Sequence, residues 1–201
     1  MAYARPLSPL NVAGAMQVTP LSIPDVLLVR PKRFGDARGW FMETYARERY
    51  EAAGIRGEFI QDNHSLSAPV GTVRGLHFQL APFAQAKLVR VLRGRILDVA
   101  VDLRQGSPTY GRHASAWLDA ETGDQLYVPV GFAHGFCTVE PDTEVAYKVT
   151  APYAPAHDRG LAWDDPDLGI EWPVAAGAAL VSDKDAKLPR LADIGVPFPA
   201  A

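Results

Sequence analysis

The stretch Val73-Arg74-Gly75-Leu76-His77-Phe78 sets an arginine three residues before a histidine, and Lys87 follows ten residues later. Both flanks read as strands joined by a loop over residues 79–86, so His77 on one arm of a hairpin faces Lys87 on the other. Such a trio offers a base, a fixed cation and an anion-binding guanidinium. Proton abstraction to a stabilised carbanion needs those groups. The plainer reading is one polar histidine on a half-buried strand beside a solvated lysine. Strict alternation raises a conflict, because it sends Arg74 and His77 to opposite faces. If both serve one site, Gly75 must mark a bulge or twist.

Other candidates lie far away in sequence. Asp185 is suited to hydrogen-bond a histidine Nδ1 and hold the ring for base catalysis. Yet Ser182 followed by Asp185 is also a capping pattern. Tyr147 alternates with Val145 and Val149, so it reads as a core tyrosine or as a general acid facing a base. Five histidines are present: His64, His77, His113, His134 and His157. A metal site wants close spacing, such as His-x-His with a carboxylate to follow, but Gln79 stands two residues after His77. That absence, with a lysine nearby, points to proton chemistry without a metal. The turn Pro129–Ala133 is placed to aim His134 inward.

The elements that must position these groups are mostly strands. Short runs appear at 25–30, 58–66, 73–78, 88–92, 95–103, 115–118, 125–128, 136–139 and 143–149, parted by turn residues. One helix is expected over Thr44–Ala53, with Thr44 as cap and Gly54 as stop. Residues 32–41 read as a loop carrying Phe34, Trp40 and Phe41. Strands at this spacing, without βαβ alternation, indicate one mainly β sandwich or barrel domain. Residues 1–18 read as a mobile extension and 189–201 as a C-terminal tail, leaving 19–188 as the domain. From Ala151 an irregular segment rich in Pro, Asp and Trp is expected, with a short helical turn at 182–185.

The 201 residues suffice for one core, and the net charge of −3 gives no electrostatic case for nucleic acid or an anionic membrane. The lone Cys137 fits a reducing compartment. No apolar run approaches a membrane span and no signal peptide is evident, so a cytoplasmic location is expected.

Nine motifs in order carry a resemblance. They are Phe34-Gly35-Asp36-x-Arg38-Gly39-x-Phe41-x-Glu43, Gln61-Asp62-Asn63-His64-Ser65, Arg74-Gly75-Leu76-His77-Phe78-Gln79, Lys87-Leu88-Val89-Arg90, Asp98-Val99-Ala100-Val101-Asp102, Pro129-x-Gly131-Phe132-Ala133-His134-Gly135-Phe136, Glu144-x-x-Tyr147-Lys148, Gly169-Ile170-x-Trp172-Pro173 and Ser182-x-Lys184-Asp185. Together, from about Pro24 to Lys187, the chain resembles the dTDP-4-dehydrorhamnose 3,5-epimerases. The resemblance implies a cupin-type double-stranded β-helix (jelly roll) with a few short helices. It implies inversion of C3 and C5 of dTDP-4-dehydro-6-deoxy-D-glucose, with no cofactor and no metal. It makes His77 the base, Asp185 its orienting partner, Lys87 the stabiliser of the C4 enolate and Tyr147 the acid on the opposite face. It makes Phe34, Arg38, Glu43, Gln61, Asn63, Arg74, His134 and Tyr153 substrate-binding residues, with Arg74 on the diphosphate and Phe34 on the thymine. It also implies a homodimer that exchanges N-terminal strands. The Pro152-Tyr153 pair departs from relatives with two aromatics there, and the extension before Thr19 is outside the resemblance.

Overall fold

The computed structural model describes residues 10–12, 14 and 16–200. In chain order the strands begin with β1 (Leu10–Val12), β2 (Met16–Pro20), β3 (Leu27–Pro31), β4 (Arg33–Asp36) and β5 (Gly39–Met42). Helix α1 (Arg47–Ala52) follows. Then come β6 (Gln61–Ser67), β7 (Val73–Gln79), β8 (Lys87–Arg93), β9 (Arg95–Asp102) and β10 (His113–Asp119). The last strands are β11 (Gln125–Val128), β12 (Phe132–Thr138), β13 (Thr143–Val149) and β14 (Asp158–Gly160).

Two antiparallel sheets face each other. The larger has the order β1-β2-β3-β11-β8-β13-β6 and the smaller β10-β9-β12-β7-β14, while β4 and β5 pair only with each other. Between the sheets, Val89, Val91, Leu126 and Val145 meet Ile96, Ala100, Phe132 and Phe136. The smaller sheet is covered on its outer face as well: Leu76, Leu97, Val99 and Val101 pack with Leu161 and Leu168, and Leu191, Ile194 and Phe198 close over them. A strand buried on both faces loses the alternation of a half-exposed one. Seven of the eight residues of β9 are buried, which accounts for the run Ile96–Val101, apolar but for Asp98.

Several local expectations change. β7 and β8 are not arms of one hairpin: they lie in opposite sheets, and residues 80–86 cross from one to the other. The stretch 32–41 is a hairpin, with Phe34 paired to Phe41. The helix begins at Arg47 with Ala46 at its cap and no side-chain cap bond. Thr44 instead offers its carbonyl to the Tyr50 hydroxyl and the Gln125 amide, at 2.8 and 2.9 Å. Residues 10–12 and 16–18, assigned above to an extension, are sheet: Met16 and Val18 are buried under α1 beside Tyr50 and Ile55. Residues 1–9 lie outside the described residues. The expected tail is anchored too, since Gln105 donates its backbone N–H to the Phe198 carbonyl at 2.8 Å and the Phe198 ring meets Phe78.

The conflict between Arg74 and His77 is resolved at Gly75. His134 on β12 pairs with His77, and Phe136 pairs with Arg74. Two steps along β12 therefore match three along β7, so β7 carries one extra residue. That bulge shifts the alternation by one and puts Arg74 and His77 on the same face. Gly75 sits at φ +114°, and a Cβ there would lie 2.6 Å from the His134 carbonyl oxygen and 2.7 Å from Gly135 Cα. We expect Gly75→Ala to cost about 3 kcal/mol or more in a urea unfolding titration, because neither backbone neighbour can yield without breaking the β7–β12 ladder.

Candidate active site

The bulge turns Arg74 and His77 into a cavity of about 500 Å³ between the two sheets, lined also by Lys87, His134, Tyr147 and Asp185. This opens beside a second cleft of about 410 Å³ that adds Gln61, Asn63 and Tyr153. Both volumes lie in the range of small-molecule sites.

His77 projects from the small sheet. Its Nε2 lies 2.7 Å from Asp185 Oδ1. The sequence reading expected Nδ1 in that bond; with Nε2 engaged, Nδ1 is the nitrogen left for substrate. Asp185 is buried, and its Oδ2 accepts the Gly75 N–H at 3.2 Å. The Ser182 hydroxyl oxygen accepts the Asp185 N–H at 3.1 Å. Thus Ser182 caps the turn, which frees the Asp185 carboxylate for the histidine. Burial pushes the Asp185 carboxyl up, but the bonds from His77 and Gly75 and the charge of Lys184 outweigh it and hold the pKa below the usual value.

Tyr147 and Lys87 project from the large sheet into the same cavity. They stand on neighbouring strands, with Val149 opposite Lys87 and Tyr147 opposite Val89. Lys87 is buried and donates from Nζ to the His77 carbonyl at 3.3 Å, across the sandwich. Burial pushes its pKa down to about 8, against the opposing charges of Asp98 and Asp158. Burial raises the Tyr147 pKa, and Arg74 opposes the shift. A phenol so placed keeps its proton at neutral pH and can give it up only to a stronger base, such as a carbanion.

Arg74 holds Ser67 Oγ through Nε at 3.0 Å and the Leu66 carbonyl through Nη2 at 2.9 Å, at the rim. Gln61 donates from Nε2 to Asn63 Oδ1 at 2.8 Å and accepts the Tyr153 N–H through Oε1 at 3.3 Å. His134 is buried, and its Nε2 lies 2.6 Å from Asp98 Oδ1. Burial lowers its pKa, with Asp98 opposing, so the ring is neutral. Phe34, Arg38 and Glu43 are not brought to either cavity. They belong to the β4–β5 region, where Arg38 pairs with Asp36 and Glu43 with Arg49.

Gln79, in place of a second histidine, is buried. Its amide nitrogen donates to the Phe83 and Pro152 carbonyls, and its oxygen accepts the Ala154 N–H at 2.7 Å. It braces two connecting segments that wall the cleft. Among the described residues, no three His, Cys, Asp or Glu side chains group as metal ligands.

Three further residues are given no role by the sequence alone: Lys184 and Asp158 line the cavities, and Asp98 lies behind His134. Asp98 had a local signal, as a lone carboxylate inside the apolar run of β9. Lys184 adjoins Asp185 in the same turn and pairs with Asp158. Asp158 lies in the irregular segment, where no periodicity marks it.

An antiparallel jelly roll with an interior cavity lined by His77, Lys87, Tyr147 and Asp185 defines the class: a cupin-like protein. The comparisons narrow it. The family model described as dTDP-4-dehydrorhamnose 3,5-epimerase matches residues 20–193. A dTDP-4-dehydrorhamnose 3,5-epimerase of Sinorhizobium fredii is 56% identical over 178 residues, covering 89% of this chain and 91% of that one. The crystal structure of a dTDP-6-deoxy-D-glucose-3,5-epimerase from Legionella pneumophila in complex with dTDP-4-keto-L-rhamnose superposes with a TM-score of 0.87 at 39% identity. It covers 92% of this chain and all of that one. A 3'-monoepimerase from Streptomyces bikiniensis in complex with dTDP-quinovose gives a TM-score of 0.82 at 36% identity, covering 90% and 92%. The chain belongs to the dTDP-4-dehydrorhamnose 3,5-epimerase family.

Proposed function

We infer that the protein inverts C3 and C5 of dTDP-4-dehydro-6-deoxy-D-glucose and releases dTDP-4-dehydro-L-rhamnose. The observation that carries this reading is the opposition of His77 and Tyr147 across one cavity, with Lys87 beside Tyr147. The C4 ketone acidifies the hydrogens on both neighbouring carbons. His77 removes one of them, and the electron pair moves to the C4 oxygen as an enolate. Lys87 carries the counter-charge at that oxygen. Tyr147 then returns a proton to the other face of the carbon, which inverts it; His77 passes its proton to solvent and Tyr147 regains one from solvent before the cycle repeats at the second carbon. Arg74 takes the diphosphate, since a guanidinium binds phosphate oxygens in pairs. Gln61, Asn63, His134 and Tyr153 contact the nucleotide-sugar along the cleft.

Incubation with the 4-keto sugar in D2O tests the reading, and NMR should find deuterium at C3 and at C5. The fold likeness to a 3'-monoepimerase supports a second reading, inversion at one carbon. Deuterium at only one position would establish that alternative. Tyr147→Phe should slow inversion at least tenfold more than it slows solvent exchange, because His77 still exchanges protons from its own face. Equal loss of both would remove Tyr147 from the acid role.

The hairpin supports an assembly as well. Phe34, Trp40 and Phe41 are 51%, 58% and 69% exposed, an apolar patch unusual for a free surface. In our reading two copies exchange N-terminal strands, so that Phe34, Arg38 and Glu43 reach the partner's cleft. A monomeric mass in sedimentation would exclude it. Among the described residues no helix is long and apolar enough to cross a membrane. The single cysteine supports a cytoplasmic setting.

A further inference from the structure

We propose that Asp98 is the positioning residue of the enolate site, the buried counter-ion that keeps Lys87 cationic while its other oxygen holds the His134 ring in place. This rests on the reading of Lys87 as the enolate stabiliser.

Asp98 is fully buried in the middle of β9, on the face that looks between the sheets, opposite Phe136. Its Oδ1 is 2.6 Å from His134 Nε2. Its Oδ2 is buried and has no hydrogen-bond partner among the described residues. A carboxylate oxygen left bare in an apolar wall is costly, and native proteins seldom keep one without a use. Lys87 has the matching deficit. Its ammonium is buried and leans on a neutral carbonyl at 3.3 Å.

The other acids near Lys87 are committed. Asp185 serves His77 and the Gly75 N–H. Asp158 Oδ2 is shared by the Lys184 ammonium and the Tyr153 hydroxyl. Tyr147 stays protonated, and His134 is a neutral ring. The uncommitted negative charge is therefore Asp98 Oδ2, and Asp98 ranks ahead of Asp158 among the charges acting on Lys87. The arrangement has a catalytic logic. A carboxylate in direct contact would neutralise the lysine and blunt its pull on the C4 oxygen. A carboxylate held back by its bond to His134 keeps the proton on Lys87 and leaves the ammonium face open to substrate.

The test is the titration of the Lys87 ε-carbon, followed by 13C NMR of lysine-labelled protein and assigned with Lys87→Arg. The expected midpoint near pH 8 should fall by at least one unit in Asp98→Asn and return toward wild type in Asp98→Glu. The exchange rate of Asp98→Asn at pH 7.5 should fall at least tenfold, with dTDP affinity within threefold of wild type. An unchanged Lys87 midpoint in folded Asp98→Asn overturns the proposal. Should that variant not fold, Asp98→Glu decides: its Lys87 midpoint should stay within about half a unit of wild type, and a fall of a full unit overturns the proposal. The NMR midpoints do not depend on turnover. A wild type without proton exchange would instead overturn the functional reading and leave the Asp98–Lys87 coupling measurable.

Discussion

His77→Asn is expected to lose at least about 10³-fold in the rate of solvent proton exchange at the sugar, within the range by which a positioned general base accelerates proton transfer. Asparagine is the informative replacement. It can still offer an N–H to Asp185, whose carboxylate is buried and whose loss of a partner would otherwise add an unfolding penalty. Calorimetric binding of dTDP should stay within about threefold, since the proposed diphosphate contact is Arg74 at the rim and not the imidazole. Retention of exchange within tenfold of wild type would exclude His77 as the base. An equal collapse of dTDP affinity would show that the substitution had deformed the cleft.

Lys87→Gln is expected to lower turnover by about 10²- to 10³-fold, the usual scale for removing one group that meets charge developing in a transition state. The wild type should also reveal the lysine through pH. With Lys87 as the enolate stabiliser its protonated form is the active one, so kcat/KM should fall tenfold per unit above about 8. Lys87→Arg should carry that alkaline limb out of the measurable range, because a guanidinium keeps its proton. An alkaline limb near 8 that persists in Lys87→Arg would assign it elsewhere. The same burial has a stability consequence with a definite sign. The folded pKa lies below the ordinary 10.5, so the unfolded chain holds the extra proton between about 8 and 10.5. Stability therefore rises across that window, and at neutral pH the charged lysine costs the fold about 3 kcal/mol.

The parts legible in sequence were those with a local cause. Alternation and turn residues located most strands, and the conflict between Arg74 and His77 correctly pointed to a distortion at Gly75. Of the residues the ordered motifs singled out, His77, Lys87, Tyr147 and Asp185 line one cavity, whereas Phe34, Arg38 and Glu43 reach neither. What stayed hidden depended on long-range pairing. The chain from Gln79 to Lys87 has the spacing of a hairpin, and only the second sheet reveals that it crosses the sandwich. Asp185 reads locally as part of a cap; its role is visible only because Ser182 takes the capping bond and the carboxylate faces His77. The terminal segment looked like a tail because Pro189, Gly195, Pro197 and Pro199 interrupt any regular element around Leu191, Ile194 and Phe198. Their apolar character has meaning only against the outer face of the small sheet.

Asp185 meets His77 across 108 residues of chain. Every strand of both sheets is translated before that carboxylate exists. Loop closure over such a span is slow, so the pair forms late, after the sheets it joins. An incomplete chain thus lacks both the cavity wall that Leu180, Val181 and Ser182 supply and the carboxylate that meets His77. The order of synthesis becomes a safeguard: the protein gains its power to move protons only when nearly all of its architecture is in place.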